Sequence, residues 1–373
     1  MTSKRRVVHL VSHLDHGGLE RIVYELAIRT DPASYEVSVV CLSELGLLAS
    51  HLERSRPVGL FPPQGHLSLL WPRQLATYLE RHQADIVHCH SGVWLKSARA
   101  AEVAGINVIY TEHGRVYPEP TLATLLDRYA ARLTHTTVAV SPSVQVDLTS
   151  RIVPPDIPVH LVPNGVSPGS RPTATRKAAV RAELGCPEDA ILVGSFGRLE
   201  PVKGYSDLIR AIAVIRDTDT EDGSIRLVIG GEGSQRDSLE ALTRELQVRD
   251  RVSFLGWRED ARELMSALDV FALSSYSEGT SVSLLEAMEA GVCPVVTDVG
   301  GNAAVLGDRL CGALVPPASP KLLAQRLSHF ARNNDDRAEA GRAASERVRS
   351  RFGLDRMVSH YEQLYASIIA DSH

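Results

Sequence analysis

The 373-residue sequence predicts an α/β protein built from two facing, doubly wound Rossmann-like domains with a cleft between them. Short apolar runs alternate with amphipathic helical stretches along almost the whole chain, the pattern of parallel sheets covered by helices. The length suits two domains of roughly 100–200 residues each. One segment, PNGVSPGSRPTAT over Pro163–Thr175, breaks the rhythm with Pro, Gly, Ser and Thr and has no apolar periodicity.

In the first half, Arg6–Leu10, Glu36–Cys41, Asp85–His88, Val108–Thr111, Thr137–Val140 and His160–Val162 read as strands. Helical patterns lie between them at Leu19–Arg29, Pro72–His82, Leu95–Ala104 and Thr121–Leu133. The second half repeats the rhythm, with strands near Ile191–Phe196, Arg226–Ile229, Val252–Phe254, Val270–Leu273 and Cys293–Thr297. The tail from Leu354 onward reads as an amphipathic helix that crosses back onto the first domain. The expected domains are therefore 1–166 and 167–352, with the returning helix at 353–373. Open parallel sheets bind ligands beyond the carboxyl ends of their strands, so useful residues should lie where strands end and helices begin.

Composition excludes several classes. Forty basic against 45 acidic residues leave a net charge of −5, without the basic excess of a nucleic-acid binder. A hydrophobic content of 44% argues against disorder. Five cysteines, odd in number and never spaced CxxC, support neither a disulfide framework nor a zinc cluster and suit a reducing, cytoplasmic setting. The apolar run after Lys4-Arg5-Arg6 is short and interrupted by His9, which fits a buried strand better than a signal peptide. No window approaches the roughly 18 apolar residues of a membrane span, so any membrane contact is expected to be peripheral, at the inner face.

The chemistry concentrates in a few segments. In SSYSEGTSVSLLEAMEAGVCPVVTDVGG (Ser274–Gly301), a strand ends, Glu278-Gly279-Thr280-Ser281 turns, and a helix starts. Free N–H groups and the helix dipole at such a start suit a phosphate. Glu286 follows Glu278 by eight residues, about two turns, and either accepts hydrogen bonds from ribose hydroxyls or closes a capping box with Ser283. SFGRLEPVKG (Ser195–Gly204) sets Arg198 and Lys203 at a strand-to-helix turn, where two cations can neutralise a departing diphosphate or simply be solvated. Gly17 and Gly18 of HGGLER follow the first strand and would let backbone approach a ligand closely. His113 sits in Thr111-Glu112-His113-Gly114 at the end of a later strand.

Other segments are weaker. Ile229–Gly233 lacks the third glycine of a dinucleotide fingerprint, since Arg236 stands there. The D-x-D of Asp217-Thr218-Asp219 lies in a polar run and reads as a solvated loop. His88, His90 and His113 have zinc-like spacing without a fourth ligand, and no metal site is expected.

In this order the motifs resemble those of the retaining nucleotide-sugar glycosyltransferases of family four, from Gly17 to about Pro317. EGTSVSLLE is similar to their E-x7-E motif, SFGRLEPVKG to their phosphate loop, and VPNGV (Val162–Val166) to the segment closing the first domain. The resemblance implies the GT-B fold and metal-independent transfer from a UDP-, GDP- or similar nucleoside-diphosphate sugar. It implies a glycan, lipid-linked or small-molecule acceptor, and a place in polysaccharide or lipid-linked glycan biosynthesis. His113 would lie near the reacting sugar, Glu278 would grip its hydroxyls, and Arg198 and Lys203 would hold the diphosphate. Gly17, Gly18, Gly279, Thr280, Ser281, Glu286 and Arg258 would contact the donor, with Glu232 a minor candidate. Ala304 stands where the family often has Glu, and Thr280 and Ser281 replace more usual aromatic or glycine residues.

The loops Pro62–Pro72 and Val116–Thr124 are expected to shape the acceptor pocket. Eleven of the fourteen histidines precede residue 166, which suggests activity responsive to pH near neutrality. Rival readings are a sugar-nucleotide sensor, phosphorylase or epimerase on the same fold, and a nicotinamide oxidoreductase. The last predicts a complete GxGxxG after the first strand, which HLDHGGLER does not supply.

Overall fold

The computed structural model describes residues 4–61, 68, 71–115, 120–169, 173–218 and 225–370. The chain divides into one unit of Met1–Gly165 with Leu354–His373, and a second of Val166–Gly353. Each has its own all-parallel sheet.

In the first unit the strands are β1 (Arg5–Val11), β2 (Tyr35–Cys41), β3 (Val58–Leu60), β4 (Ile86–His90), β5 (Asn107–Glu112), β6 (Thr136–Ala139) and β7 (Val159–Leu161). They lie in the order β3-β2-β1-β4-β5-β6-β7. Strand order reverses between β1 and β4, so a crevice opens at their carboxyl ends. β3, absent from the sequence reading, is a three-residue edge strand too short to show a period. The core is aliphatic, with Leu10, Leu75, Leu79, Val87 and Ala98 all inaccessible to solvent.

The closing helix, Leu354–Ala370, packs on this unit through Met357, Tyr361, Tyr365 and Ile368, spaced at helical repeats. Polar contacts fix its register. The Tyr365 hydroxyl lies 2.8 Å from His88 Nδ1, the Tyr361 hydroxyl 3.2 Å from Thr111 Oγ1, and the Asp31 N–H donates to Glu362 at 2.8 Å.

The second unit contains β8 (Ile191–Phe196), β9 (Ile225–Gly230), β10 (Val252–Gly256), β11 (Val270–Leu273), β12 (Cys293–Thr297) and β13 (Leu314–Val315). Their order is β10-β9-β8-β11-β12-β13. β13, two residues at the edge, again escaped the sequence reading. Here the reversal falls between β8 and β11, and the loops that follow these two strands carry SFGRLEPVKG and the SEGTS turn. Among the described residues no helix is long and apolar enough to cross a membrane.

Candidate active site

Sheet order brings together charges that are 75 residues apart in sequence. Lys203 Nζ lies 2.7 Å from Glu278 Oε1, and the Ser275 hydroxyl donates to the same oxygen at 2.6 Å. The Glu278 side chain is only 7% exposed. The loops are bound to each other as well: Ser274 Oγ donates to the Lys203 carbonyl at 3.1 Å, and the Tyr276 N–H to the Val202 carbonyl at 2.7 Å. Arg198, on the same loop as Lys203, is exposed, and its guanidinium forms no hydrogen bond or ion pair among the described residues. Behind Glu278, Gly300 has φ +55°, and a Cβ there would stand 1.7 Å from the Glu278 carbonyl oxygen. Only glycine fits that position, which explains the first glycine of the Gly300-Gly301 pair.

Gly279, Thr280 and Ser281 form the buried entry to the helix Val282–Glu289. Ser281 is its N-cap, with Oγ accepting from the Leu284 N–H at 3.3 Å. Ser283 is therefore already inside the helix, and the alternative capping box of Ser283 with Glu286 does not form. Glu286 instead faces Arg262, with Nε 3.6 Å from its carboxylate. Arg262 also donates to the Ser167 carbonyl at 2.8 Å. Sequence reasoning missed Arg262, because the contact spans two elements and no local spacing announces it.

Arg258, an expected donor contact, is already paired. Its guanidinium donates to both oxygens of Asp260, at 2.7 and 2.6 Å, and to Glu183 at 2.7 Å. Two carboxylates already engage this cation, so it holds the turn after β10 rather than offering a free charge. Glu232 is exposed, and its carbonyl accepts from the Leu199 N–H at 2.8 Å, tying its turn to the loop that carries Arg198.

In the first unit, Gly17 is the N-cap and Gly18 the first residue of the helix Gly18–Arg29. The Glu20 carboxylate folds over them: a Cβ on Gly17 would lie 2.0 Å from Glu20 Oε2. Glu20 Oε1 in turn sits 3.1 Å from His13 Nε2. An anion from the chain itself thus occupies this positive helix end, a role for Glu20 that the HGG pattern did not announce.

Beside this turn, at the β1–β4 crevice, lies a histidine array. His9 pairs with His88 in the strand register, and His90 shares the face of His88. His9 Nδ1 lies 3.1 Å from His90 Nε2, and His90 Nδ1 lies 3.0 Å from His113 Nε2. His88 is held by the Tyr365 hydroxyl on one nitrogen and by Thr111 Oγ1 on the other, both at 2.8 Å. His113 is fixed through its backbone N–H, which donates to Ser91 Oγ at 2.8 Å. Among the described residues, His9 Nε2 and His113 Nδ1 are sealed from solvent without a partner.

Ligand nitrogens of His9, His88 and His90 come within 4.8 Å of one another, close enough to suggest a metal. Five of their six ring nitrogens are already hydrogen-bonded, leaving His9 Nε2 (from His9, one; His88, two; His90, two). A metal would have to break those bonds to gain three ligands. Burial pushes His9 and His113 down to about 3, and His88 and His90 well below the usual imidazole range. These four rings are neutral throughout the physiological range. The expectation that the histidine-rich half titrates near neutrality is therefore corrected at its centre, because desolvation opposes the charged form.

A cavity of about 720 Å³ lies at the strand ends of the same unit, lined by Ser12, Ser43, Ser91, Lys96, Glu112 and Arg115 among others. Glu112 is saturated: it accepts from the Tyr110 hydroxyl and Arg115 Nε at 2.6 Å each, Ser91 Oγ at 2.7 Å and the Gly114 N–H at 3.1 Å. Arg115 also binds Asp127 at 2.8 Å. Lys96 differs: its ammonium forms no hydrogen bond or ion pair among the described residues, lies 5.6 Å from the Phe61 ring centre, and has its pKa pulled down by burial. Most of the expected acceptor loops, Pro62–Pro72 and Val116–Thr124, and Asp219 of the D-x-D run, lie outside the described residues.

Residues 16–169 match the family model described as Glycosyltransferase Family 4, and residues 176–347 match that of Glycosyl transferases group 1. A D-inositol 3-phosphate glycosyltransferase of Streptomyces scabiei is 27% identical, over 96% of this chain and 88% of that protein. An N-acetyl-alpha-D-glucosaminyl L-malate synthase of Bacillus anthracis is 26% identical, over 83% and 81%. Among solved structures, Anabaena Alr3699/HepE in complex with UDP and glucose superimposes with a TM-score of 0.85 at 22% identity, covering 97% of this chain and 100% of the other. At that identity the likeness establishes the fold, which is GT-B.

Proposed function

The chain belongs to the family-four glycosyltransferases, enzymes dependent on a nucleotide sugar, and on that premise we propose a retaining, metal-independent transfer from a nucleoside-diphosphate sugar. The observation that carries it is the Lys203–Glu278 pair at the β8–β11 switch point, with the unpaired Arg198 on the same loop. As the anomeric carbon–oxygen bond breaks, negative charge grows on the diphosphate. Arg198 and Lys203 stabilise that charge, along with the N–H groups at the helix start after Gly279. When Lys203 turns to phosphate, Glu278 is released to accept hydrogen bonds from sugar hydroxyls, while Glu286, steadied by Arg262, suits the ribose. The acceptor hydroxyl attacks from the face the diphosphate leaves, and its proton passes to the departing phosphate oxygen. Gly17, Gly18 and His113 keep the donor-contact roles that the family resemblance implies for them.

The acceptor bears an anionic group. Lys96 is the cavity cation without a carboxylate partner among the described residues, and the names of the relatives above include a phosphate and a malate acceptor. The test is transfer from UDP- and GDP-sugars to inositol 3-phosphate, L-malate and neutral inositol, in EDTA, with product configuration read by NMR. We expect retention, no loss in EDTA, and preference for an anionic acceptor. Lys96→Met should raise the acceptor KM about tenfold or more, the equivalent of one charge-assisted hydrogen bond, with kcat little changed. Inverted product or dependence on a divalent ion would refute the mechanism, and an unchanged KM would refute the role of Lys96.

A peripheral membrane contact of this cytoplasmic enzyme, consistent with glycan assembly, rests on one exposed face. Leu122, Leu125 and Tyr129 form a stripe on the helix Thr121–Arg132. Exposed Trp71 joins them through Arg99, whose guanidinium lies 5.8 Å from the Tyr129 ring and 6.0 Å from the Trp71 ring, with Arg73 5.0 Å from Trp71. Apolar and aromatic side chains beside arginines suit an anionic lipid surface. The protein should float with anionic but not zwitterionic vesicles, and Leu122→Ser with Leu125→Ser should abolish this; equal recovery with both vesicle types would contradict it.

A further inference from the structure

We propose that Glu289 is a positioning residue for nucleotide recognition: it draws the Arg262 guanidinium away from Glu286, so that the Glu286 carboxylate is oriented by a nearby charge yet still accepts hydrogen bonds from ribose. The proposal rests on the reading that sets Glu286 at the ribose, and it deepens that reading by naming what tunes the carboxylate.

Glu286 and Glu289 stand three residues apart on the helix Val282–Glu289, which puts both carboxylates on one face. Like charges at that spacing repel. Arg262, in the helix Ala261–Ser266, faces both of them. Its Nε lies 3.6 Å from Glu286 Oε1 and its Nη2 lies 3.9 Å from Glu289 Oε2, while Nη2 also donates to the Ser167 carbonyl at 2.8 Å. A guanidinium is a rigid planar fork, so holding Nη2 limits how closely Nε can approach Glu286. The 3.6 Å separation is past hydrogen-bond range, and Arg262 therefore orients the carboxylate by charge without taking one of its acceptor positions.

Glu289 is unfavourably placed for stability alone. The residue is 4% exposed and ends its helix, where the macrodipole is already negative. Its compensation comes from two arginines at long range: Arg262, and Arg349 of the helix Asn334–Arg351, whose Nη2 lies 3.4 Å from Oε1. Those side chains are 35% and 50% exposed, so water can solvate either cation without Glu289. A glutamine would fill the same space without burying a charge at the negative end of a helix. What the carboxylate adds is its pull on Arg262, directed away from Glu286.

The experiment is calorimetric binding, to the full-length protein in EDTA, of UDP, GDP and ADP beside their 2′,3′-dideoxyribose counterparts. The wild-type protein should prefer the ribose form of its nucleotide about tenfold or more, the equivalent of one hydrogen bond to a charged acceptor. Glu289→Gln should cut that preference to about threefold or less by weakening the ribose form alone, with a urea midpoint no lower than wild type. Arg262→Lys, whose ammonium cannot span both carboxylates, should lose the preference in the same selective way. An undiminished preference in Glu289→Gln overturns the proposal. Equal weakening of both forms also overturns it, since a merely structural role would act on both alike. A ribose preference unchanged in Glu286→Ala would instead refute the role of Glu286 itself, and failure of all three diphosphates to bind would refute the reading of a ribose nucleotide at this site.

Discussion

Lys203→Ala should lower kcat by about 10²–10³, the usual cost of removing one preorganised charge stabiliser from a transition state. Donor affinity should fall less than kcat, because charge on the diphosphate is greatest as the bond breaks. The variant should also lose stability. Lys203 is 22% and Glu278 7% exposed at the side chain, and without the ammonium Glu278 keeps the Ser275 hydroxyl as its one remaining partner among the described residues. Breaking such a pair from one side leaves a poorly solvated carboxylate, at a cost of roughly 1–3 kcal/mol. Adding Glu278→Gln should restore much of that stability without restoring turnover. Steady-state kinetics with urea unfolding of the single and double variants separates the two effects. Wild-type kcat/KM in Lys203→Ala would remove the diphosphate assignment.

The first unit should be markedly acid-labile. His9, His88 and His90 are fully buried and stay neutral when folded, whereas in the unfolded chain they titrate near 6.5. Their folded pKa values are lowered, so below 6.5 the unfolded chain binds protons that the folded protein refuses. The stabilisation is complete above 6.5 and is lost as pH falls from there toward about 3, the folded value for His9. For three such groups the loss between pH 7.5 and 5.5 is about 4 kcal/mol, a large share of the roughly 5–15 kcal/mol typical of a domain. Urea midpoints across that range measure it, and His9→Phe should flatten the slope by about a third. A stability independent of pH from 7.5 to 5.5 would contradict neutral burial of the array.

Much of the architecture was legible because periodicity reports burial. Eleven strands were read from apolar runs, and the closing helix from its stripe of Met357, Tyr361, Tyr365 and Ile368. The two short edge strands, β3 and β13, were invisible because two or three residues carry no period. In the site, local chemistry was readable and pairing was not. Ser281 announces a helix start, but that Lys203 meets Glu278 follows from β8 lying next to β11, an order no local pattern encodes. His9 looked like an interruption of an apolar strand. Its meaning depends on His88 and His90, about 80 residues away on β4. The pairing of Arg258 with Glu183 and Asp260 is likewise seen only in the fold.

The central claim is that the loops after β8 and β11 hold the diphosphate of a nucleotide sugar. Its most direct test is thermal stabilisation of the wild-type protein by UDP-, GDP-, ADP- and TDP-sugars in EDTA, with NAD and NADP as controls. At a hundred times Kd, a bound donor adds about 2.7 kcal/mol to the unit that holds it. One nucleotide series should stand out, and the shift should shrink in Lys203→Ala. A response to NAD alone, or to no nucleotide sugar, would contradict the assignment of this site.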